Sequence, residues 1–204
     1  MIAMMLLAAA APMSAIDAER TFVADAQKLG QWTAFRKWAA PDAQMFTPQP
    51  VNAHEFLRDR KDPPIPVYWW PGRSYVSCDG SFAVNTGPWV RQYGKSVGYF
   101  TTVWQRQTDG NWKWVYDGGD SLTLPRAEGG DIKPLTASCK TKPRKASYSW
   151  LAAPAPTTAE GRSKDGTLYW SWMVEQSGAR QLVVQLWMGD KFLTVIHDRV
   201  APPT

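Results

Sequence analysis

Val97-Gly98-Tyr99-Phe100-Thr101-Thr102-Val103-Trp104-Gln105-Arg106-Gln107, then Thr108-Asp109-Gly110, then Asn111-Trp112-Lys113-Trp114-Val115-Tyr116-Asp117: two runs dense in aromatic and β-branched residues flank an Asp-Gly pair. Such residues fit a pleated, half-buried surface, and Asp-Gly tolerates the positive φ of a tight hairpin. The stretch therefore predicts two long antiparallel strands. Alternation puts Tyr99, Thr101 and Val103 on one face and Phe100, Thr102 and Trp104 on the other. It likewise sets Trp112, Trp114 and Tyr116 opposite Lys113, Val115 and Asp117, and either face can be the inner one.

Upstream, Val67–Trp70, Ser74–Ser77 and Ser81–Val90 read as further strands, with Asp79-Gly80 as a turn. Before them the period is that of a helix. Ile16, Phe22, Ala26 and Leu29, then Trp32, Phe35, Trp38 and Ala39, recur every three to four residues, broken at Gly30 and stopped by Pro41. A third short helix starts at Asn52, whose spacing to Glu55 is that of a capping box, and ends before Pro63-Pro64. Downstream, 122–166 shows no sustained period and reads as a basic, Pro/Ala-containing linker or excursion. Residues 167–204 alternate again as a three-stranded meander, Thr167–Gln176, Arg180–Met188 and Phe192–Arg199. The meander's aromatic content exceeds what a free-standing sheet of that size covers, so it is expected to pack on the first sheet or on a second subunit. Helices followed by a long antiparallel sheet define an α+β order.

The chain has 204 residues, 44% hydrophobic and 20% charged, a mix too apolar for a disordered protein and enough for one domain with an extension. Its net charge of +5 is local: Thr123–Ala146 holds six cations against Glu128 and Asp131. Lys140-Thr141-Lys142-Pro143-Arg144-Lys145, with Tyr148 and Trp150 nearby, is either an anion-binding loop or a solvated charge run, and no nucleic-acid partner is expected. Residues 1–15 carry no charge and combine an apolar run with Ser14-Ala15, the pattern of a secretory signal without its basic start; a frayed helical turn is the alternative. The run is too short, and broken by Pro12, for a membrane span. A periplasmic or secreted location follows from the signal reading. It would permit a disulfide between Cys78 and Cys139, the only cysteines, with two free thiols as the alternative.

Gly30-Gln31-Trp32-Thr33-Ala34-Phe35, Ala40-Pro41-Asp42-Ala43-Gln44-Met45-Phe46-Thr47-Pro48, Gly98–Trp104 and Asp109–Asp117 resemble the SnoaL-like branch of the nuclear transport factor 2-like superfamily over residues 16–121. The resemblance implies a cystatin-like cone, a curved antiparallel sheet wrapped over N-terminal helices with a pocket between them. It also implies a small, largely apolar ligand, and frequent homodimers. Its functions span isomerases, cyclases, dehydratases, binders and adaptors.

Within such a cone, Trp32, Phe35, Trp69, Tyr99, Trp104 and Tyr116 are candidate ligand contacts, or ordinary core. Asp117 and Asp120, in Tyr116-Asp117-Gly118-Gly119-Asp120, are candidate proton-transfer bases with Tyr99 or Tyr116 as hydrogen-bond donor; turn formation is the alternative. His54, on the short capped helix, is a candidate at the pocket mouth or an ordinary surface histidine. No metal or nucleotide cofactor is expected, because HxH, HExxH, P-loop and dinucleotide motifs are all missing from the sequence. Three readings remain: a small-molecule binder, an isomerase or dehydratase acting on a carbonyl compound, and a non-catalytic dimeric interaction module.

Overall fold

The computed structural model describes residues 12–127, 131–143 and 157–203. Most of the N-terminal apolar run, together with Arg144, Lys145, Tyr148, Trp150 and the patch Ala152–Pro156, lies outside the described residues. The architecture is α+β, with three helices and two antiparallel-rich sheets.

Helix α1 (Ala15–Leu29) is capped by Ser14, whose hydroxyl oxygen accepts from the Asp17 N–H. It buries Ile16, Glu19, Phe22, Val23 and Ala26 along one face. Gly30 separates it from α2 (Gln31–Trp38) at φ +107°, a conformation that disfavours a side chain. A Cβ there would also lie 2.3 Å from the Asp62 carboxyl. That carboxylate serves as a remote cap for α2, accepting from the N–H groups of Trp32 and Thr33 and from the Thr33 hydroxyl. Burial opposes its ionisation, but these bonds outweigh burial and hold Asp62 below the usual carboxylate range. α3 (Ala53–Leu57) begins as its capping spacing predicts, with the Asn52 side chain accepting from the Glu55 N–H.

The first sheet has the order β2-β1-β7-β6-β5-β4-β8, with β3 also paired to β5. Its strands are β1 (Ala39–Phe46), β2 (Pro50–Asn52), β3 (Tyr68–Trp69), β4 (Arg73–Val76), β5 (Phe82–Arg91), β6 (Ser96–Arg106), β7 (Trp112–Leu122) and β8 (Leu135–Thr136). β1 was not anticipated as a strand. It contains Pro41, which sits where the register between β1 and β7 is irregular, the kind of place where a strand tolerates a residue without an N–H. The second sheet, β12-β11-β10-β9, comprises β9 (Thr157–Arg162), β10 (Leu168–Val174), β11 (Arg180–Trp187) and β12 (Phe192–Val200). It thus has four strands where alternation predicted three, because the polar Thr157–Arg162 carries no apolar period.

Two cores lie on opposite sides of the first sheet. On the inner side, Phe22 sits at the centre of an aromatic cluster, with ring centroids 4.8 Å from Phe35, 4.9 Å from Trp69 and 6.0 Å from Trp104. On the outer side, Tyr75, Phe82, Val84, Val103 and Tyr116 meet Leu168, Trp170, Trp172, Leu182, Val184 and Ile196 of the second sheet. The outer face of the first sheet is therefore covered by the chain's own C-terminal strands.

Cys78 and Cys139 form a disulfide that ties the β4–β5 turn to the segment after β8. That segment is also held by the second sheet, since the Ser138 N–H donates to the Trp187 carbonyl at 2.8 Å. The bridge closes a loop of sequence separation 61. Replacing both cysteines by serine is expected to lower unfolding free energy by about 4 kcal/mol on the chain-entropy model. Denaturant unfolding of the oxidised protein against the double variant measures this, and equal midpoints would show the bridge to be energetically idle.

Candidate functional site

The alternation of β7 breaks once. Between the pairs Trp104↔Trp114 and Val103↔Tyr116 the residue Val115 has no partner, so β7 carries a β-bulge. Trp112 and Trp114 face the helices, but beyond the bulge Tyr116 turns outward into the inter-sheet core and Asp117 turns inward. The expected grouping of Trp112, Trp114 and Tyr116 on one face is thereby corrected, since the extra residue inverts the parity. Asp117 pairs with Thr102, whose hydroxyl donates to its Oδ2 at 2.9 Å.

Asp117 lies on the wall of a cavity of about 320 Å3 between the helices and the sheet. The apolar lining comes from Trp32 and Phe35 of α2, Met45 and Phe46 of β1, Val67 and Trp69, Trp89 and Phe100. Polar groups come from Gln31, Arg91, Asp120, Ser121 and Arg180. Of the residues named from sequence, Trp32, Phe35, Trp69, Tyr99, Asp117 and Asp120 border this space. His54, Trp104 and Tyr116 are not among its lining residues. His54 is half-buried on α3, while Trp104 is fully buried in the aromatic core against Phe22 of α1.

Tyr99 and Tyr116 do not stand beside Asp117 as hydrogen-bond donors. Tyr99 shares a face with Thr101 and Val103, and its ring has the Arg126 guanidinium 3.8 Å from the centroid, on the inter-sheet side. The Tyr116 hydroxyl lies beneath Gly118, where an added Cβ would stand 2.4 Å from it. Gly118 is thus small to admit that hydroxyl, rather than to let a ligand approach. Asp120 accepts from the adjacent Ser121 N–H at 2.8 Å, and like Asp117 it lies within β7, which runs on to Leu122 and pairs Asp120 with Tyr99, so the turn expected at 117–120 is corrected.

Burial pushes the Asp117 carboxyl up to about 7, with only the Thr102 hydrogen bond acting in the other direction. A second acid lies deeper and was missed from sequence. Glu19 is fully buried, and its carboxyl accepts from the indole N–H of Trp69 at 2.8 Å, that of Trp104 at 2.7 Å and the Asn85 amide at 3.3 Å. Burial raises it to about 8 despite those bonds, and the charge of Asp117 adds to the rise. The signal was available: Glu19 stands three residues after Ile16 and three before Phe22, on the apolar stripe of α1.

Two cations complete the cavity. Arg91 is exposed at its mouth, 4.7 Å from the Trp89 ring centroid, and Arg180 of β11 donates to the carbonyls of Pro48 and Gly119 with its guanidinium 5.0 Å from the Phe46 centroid. Among the described residues neither forms an ion pair. Among them, too, no group of three or more His, Cys, Asp and Glu side chains is arranged to hold a metal ion. No helix of the described residues is long and apolar enough to cross a membrane.

No protein-family model matches the chain, and no curated protein matches it. Solved structures similar to it include a ketosteroid isomerase-like protein from Shewanella frigidimarina, at 16% identity and TM-score 0.38, covering 52% of this chain and 95% of that one. The CaMKII hub of S. rosetta matches at 19% identity and TM-score 0.37, covering 55% and 100%. A conserved protein from Planctomyces limnophilus matches at 14% identity and TM-score 0.34, covering 50% and 94%.

The two raised acids fix a direction for stability against pH. The unfolded chain releases these protons near pH 4, whereas the fold retains them to about 7 and 8, so the native state binds more protons in between and stability falls as pH rises through that window. Glu19→Gln removes one of the two titrations. Its melting temperature is expected to decline less steeply than that of the parent between pH 4.5 and 8, and parallel curves would show that Glu19 ionises normally in the fold.

Proposed function

We propose that the protein is an exported, cone-shaped member of the nuclear transport factor 2-like superfamily, of its SnoaL-like branch, that binds a small, largely apolar molecule carrying a carbonyl or carboxylate. One observation carries the reading: a cavity of about 320 Å3, walled by aromatic side chains, presents a carboxyl group raised to about 7. An apolar cavity with a few convergent polar groups is the usual form of a small-molecule site. Asp117 supplies the hydrogen bond that orients the ligand, and Arg91 and Arg180, neither of them in an ion pair among the described residues, supply positive charge toward its polar end. The disulfide supports the export part of the proposal, because such bridges persist in oxidising compartments.

The poise of Asp117 favours a second reading, proton transfer on a carbonyl compound. A base whose pKa lies near 7 is matched to taking and returning a proton at neutral pH. In that reading the Asp117 carboxylate removes a proton from the carbon next to the carbonyl, the electron pair moves into the enolate oxygen, and the proton returns to that carbon as the carbonyl re-forms. Gln31 is the donor to that oxygen: its own side-chain oxygen is taken by the Val67 N–H at 3.0 Å, which leaves its amide NH2 as the donating group beside the cavity.

Asp117→Asn separates the site from the scaffold. Titration of intrinsic tryptophan fluorescence with small cyclic ketones and aryl carboxylates is expected to show saturable binding to the parent protein and at least a tenfold weaker response in the variant, about 1.4 kcal/mol or more. The melting temperature at neutral pH is expected to stay the same or rise, since a half-buried carboxyl whose charged form is disfavoured is replaced by its neutral isostere. A large fall in melting temperature with binding intact would make Asp117 a structural residue. Deuterium incorporation next to the ketone carbonyl, lost in Asp117→Asn, would select the enzymatic reading over simple binding.

A further inference from the structure

The C-terminal sheet repeats the β4–β7 meander strand for strand. Ser77-Cys78-Asp79-Gly80-Ser81-Phe82 joins β4 to β5, and Ser163-Lys164-Asp165-Gly166-Thr167-Leu168 joins β9 to β10. In each turn the aspartate Oδ1 accepts from the first serine hydroxyl and from both the N–H and the hydroxyl of the residue two positions on. In each, the first serine Oγ accepts from the N–H that opens the next strand.

The registers agree as well. Val76↔Ala83 corresponds to Arg162↔Tyr169, and Val84↔Val103 to Trp170↔Val184. The last strand pair even skips the same position. Val195 is left unpaired between Gln185↔Thr194 and Val184↔Ile196, as Val115 is between Trp104↔Trp114 and Val103↔Tyr116. Similar turns recur by chance, since Ser-Asp-Gly chemistry is local. A bulge at the same place on the last strand, counted from that turn through the paired strands, is not local chemistry.

The two copies meet reciprocally. The Asp79 N–H donates to Asp165 Oδ2 at 2.9 Å, and the Asp165 N–H donates to Asp79 Oδ2 at 3.0 Å. The Cys78 N–H donates to Thr167 Oγ1 at 2.9 Å, and its counterpart, the Lys164 N–H, to Ser81 Oγ at 3.1 Å. The core between the sheets holds equivalent residues from both copies: Phe82 and Leu168, Val84 and Trp170, Val103 and Val184, Tyr116 and Ile196. Residue i meets j while j meets i, the signature of a two-fold interface between identical subunits, here inside one chain.

We propose that the C-terminal sheet is an in-chain partner: a second copy of the β4–β7 meander that covers the outer face of the first through a two-fold-like contact, so that the protein functions as a single chain. The two copies have divided their roles. The counterpart of Asp117 is His197, which is exposed and bonded to Gln181 and Arg199 rather than turned into a cavity. The counterpart of Tyr99 is Arg180, which crosses to the first copy, donates to the Gly119 carbonyl at 3.0 Å and closes the cavity wall. The second copy thus completes the site of the first.

Sedimentation equilibrium of the full, oxidised chain tests this on the unaltered protein. One chain per particle over a wide concentration range is the expected result, and a dimer overturns the proposal whatever the cavity binds. Asp79→Ala and Asp165→Ala test the reciprocity of the contact. Both are expected to lower the melting temperature by similar amounts, with the double variant losing less than the two losses added, because each carboxylate also accepts from the other's turn. A large loss for one and none for the other would overturn the equivalence of the two turns. Should either variant fail to fold, the sedimentation result alone decides.

Discussion

The unpaired residue Val115 in β7 governs what this fold can do. A regular strand shows each core one parity of side chain along its whole length. By inserting one residue, β7 gives Trp112 and Trp114 to the helical core, Tyr116 to the inter-sheet core, and then returns Asp117 to the helical side, at the point where the aromatic packing opens into a cavity. Without the bulge Tyr116 would pair with Thr102 and face the helices, and Asp117 would pair with Thr101 on the side of the second sheet. The local cost of a disrupted ladder is offset by letting one strand serve two cores.

Around that strand the electrostatics follow from burial. Desolvation keeps both Glu19 and Asp117 protonated well above the ordinary carboxylate range, and the charge of Asp117 adds to the rise at Glu19. The indole donors of Trp69 and Trp104 prevent Glu19 from being an orphan, and through Trp69 they connect the deep acid to the cavity wall. The cations are at the periphery, where Arg91 and Arg180 rest on aromatic faces and backbone carbonyls. The result is a graded site, apolar and weakly acidic within and basic at its edge.

Much of this was legible in the sequence because it is written in local chemistry. The Asp-Gly turns, the alternation of β5, β6, β10, β11 and β12, the break at Gly30 and the capping pair Asn52 and Glu55 each act over a few residues. What was not legible depends on relations between distant segments. β1 was hidden by Pro41, which local rules exclude from a strand interior. β9 was hidden because its residues are polar, and it is defined by pairing with β10. The bulge left no mark, since Trp114-Val115-Tyr116 alternates as well with it as without it, so the sequence groups Tyr116 with Trp114, and which face of β6 and β7 is inner depends on where the helices pack. The duplication escaped notice because its evidence is register and hydrogen bonding, with few shared residues beyond Ser77 and Ser163, Asp79 and Asp165, Gly80 and Gly166, and the bulged valines.

The central claim is that the bulge delivers a near-neutral carboxylic acid to an apolar cavity. Site-resolved 13C NMR titration of the aspartate side-chain carboxyls, with Asp117 assigned by its disappearance in Asp117→Asn, tests it most directly. A midpoint near 7 for Asp117, with Asp120 titrating separately, is the result the structure predicts. A midpoint in the ordinary aspartate range, about 4, would contradict it and make Asp117 an ordinary solvated carboxylate.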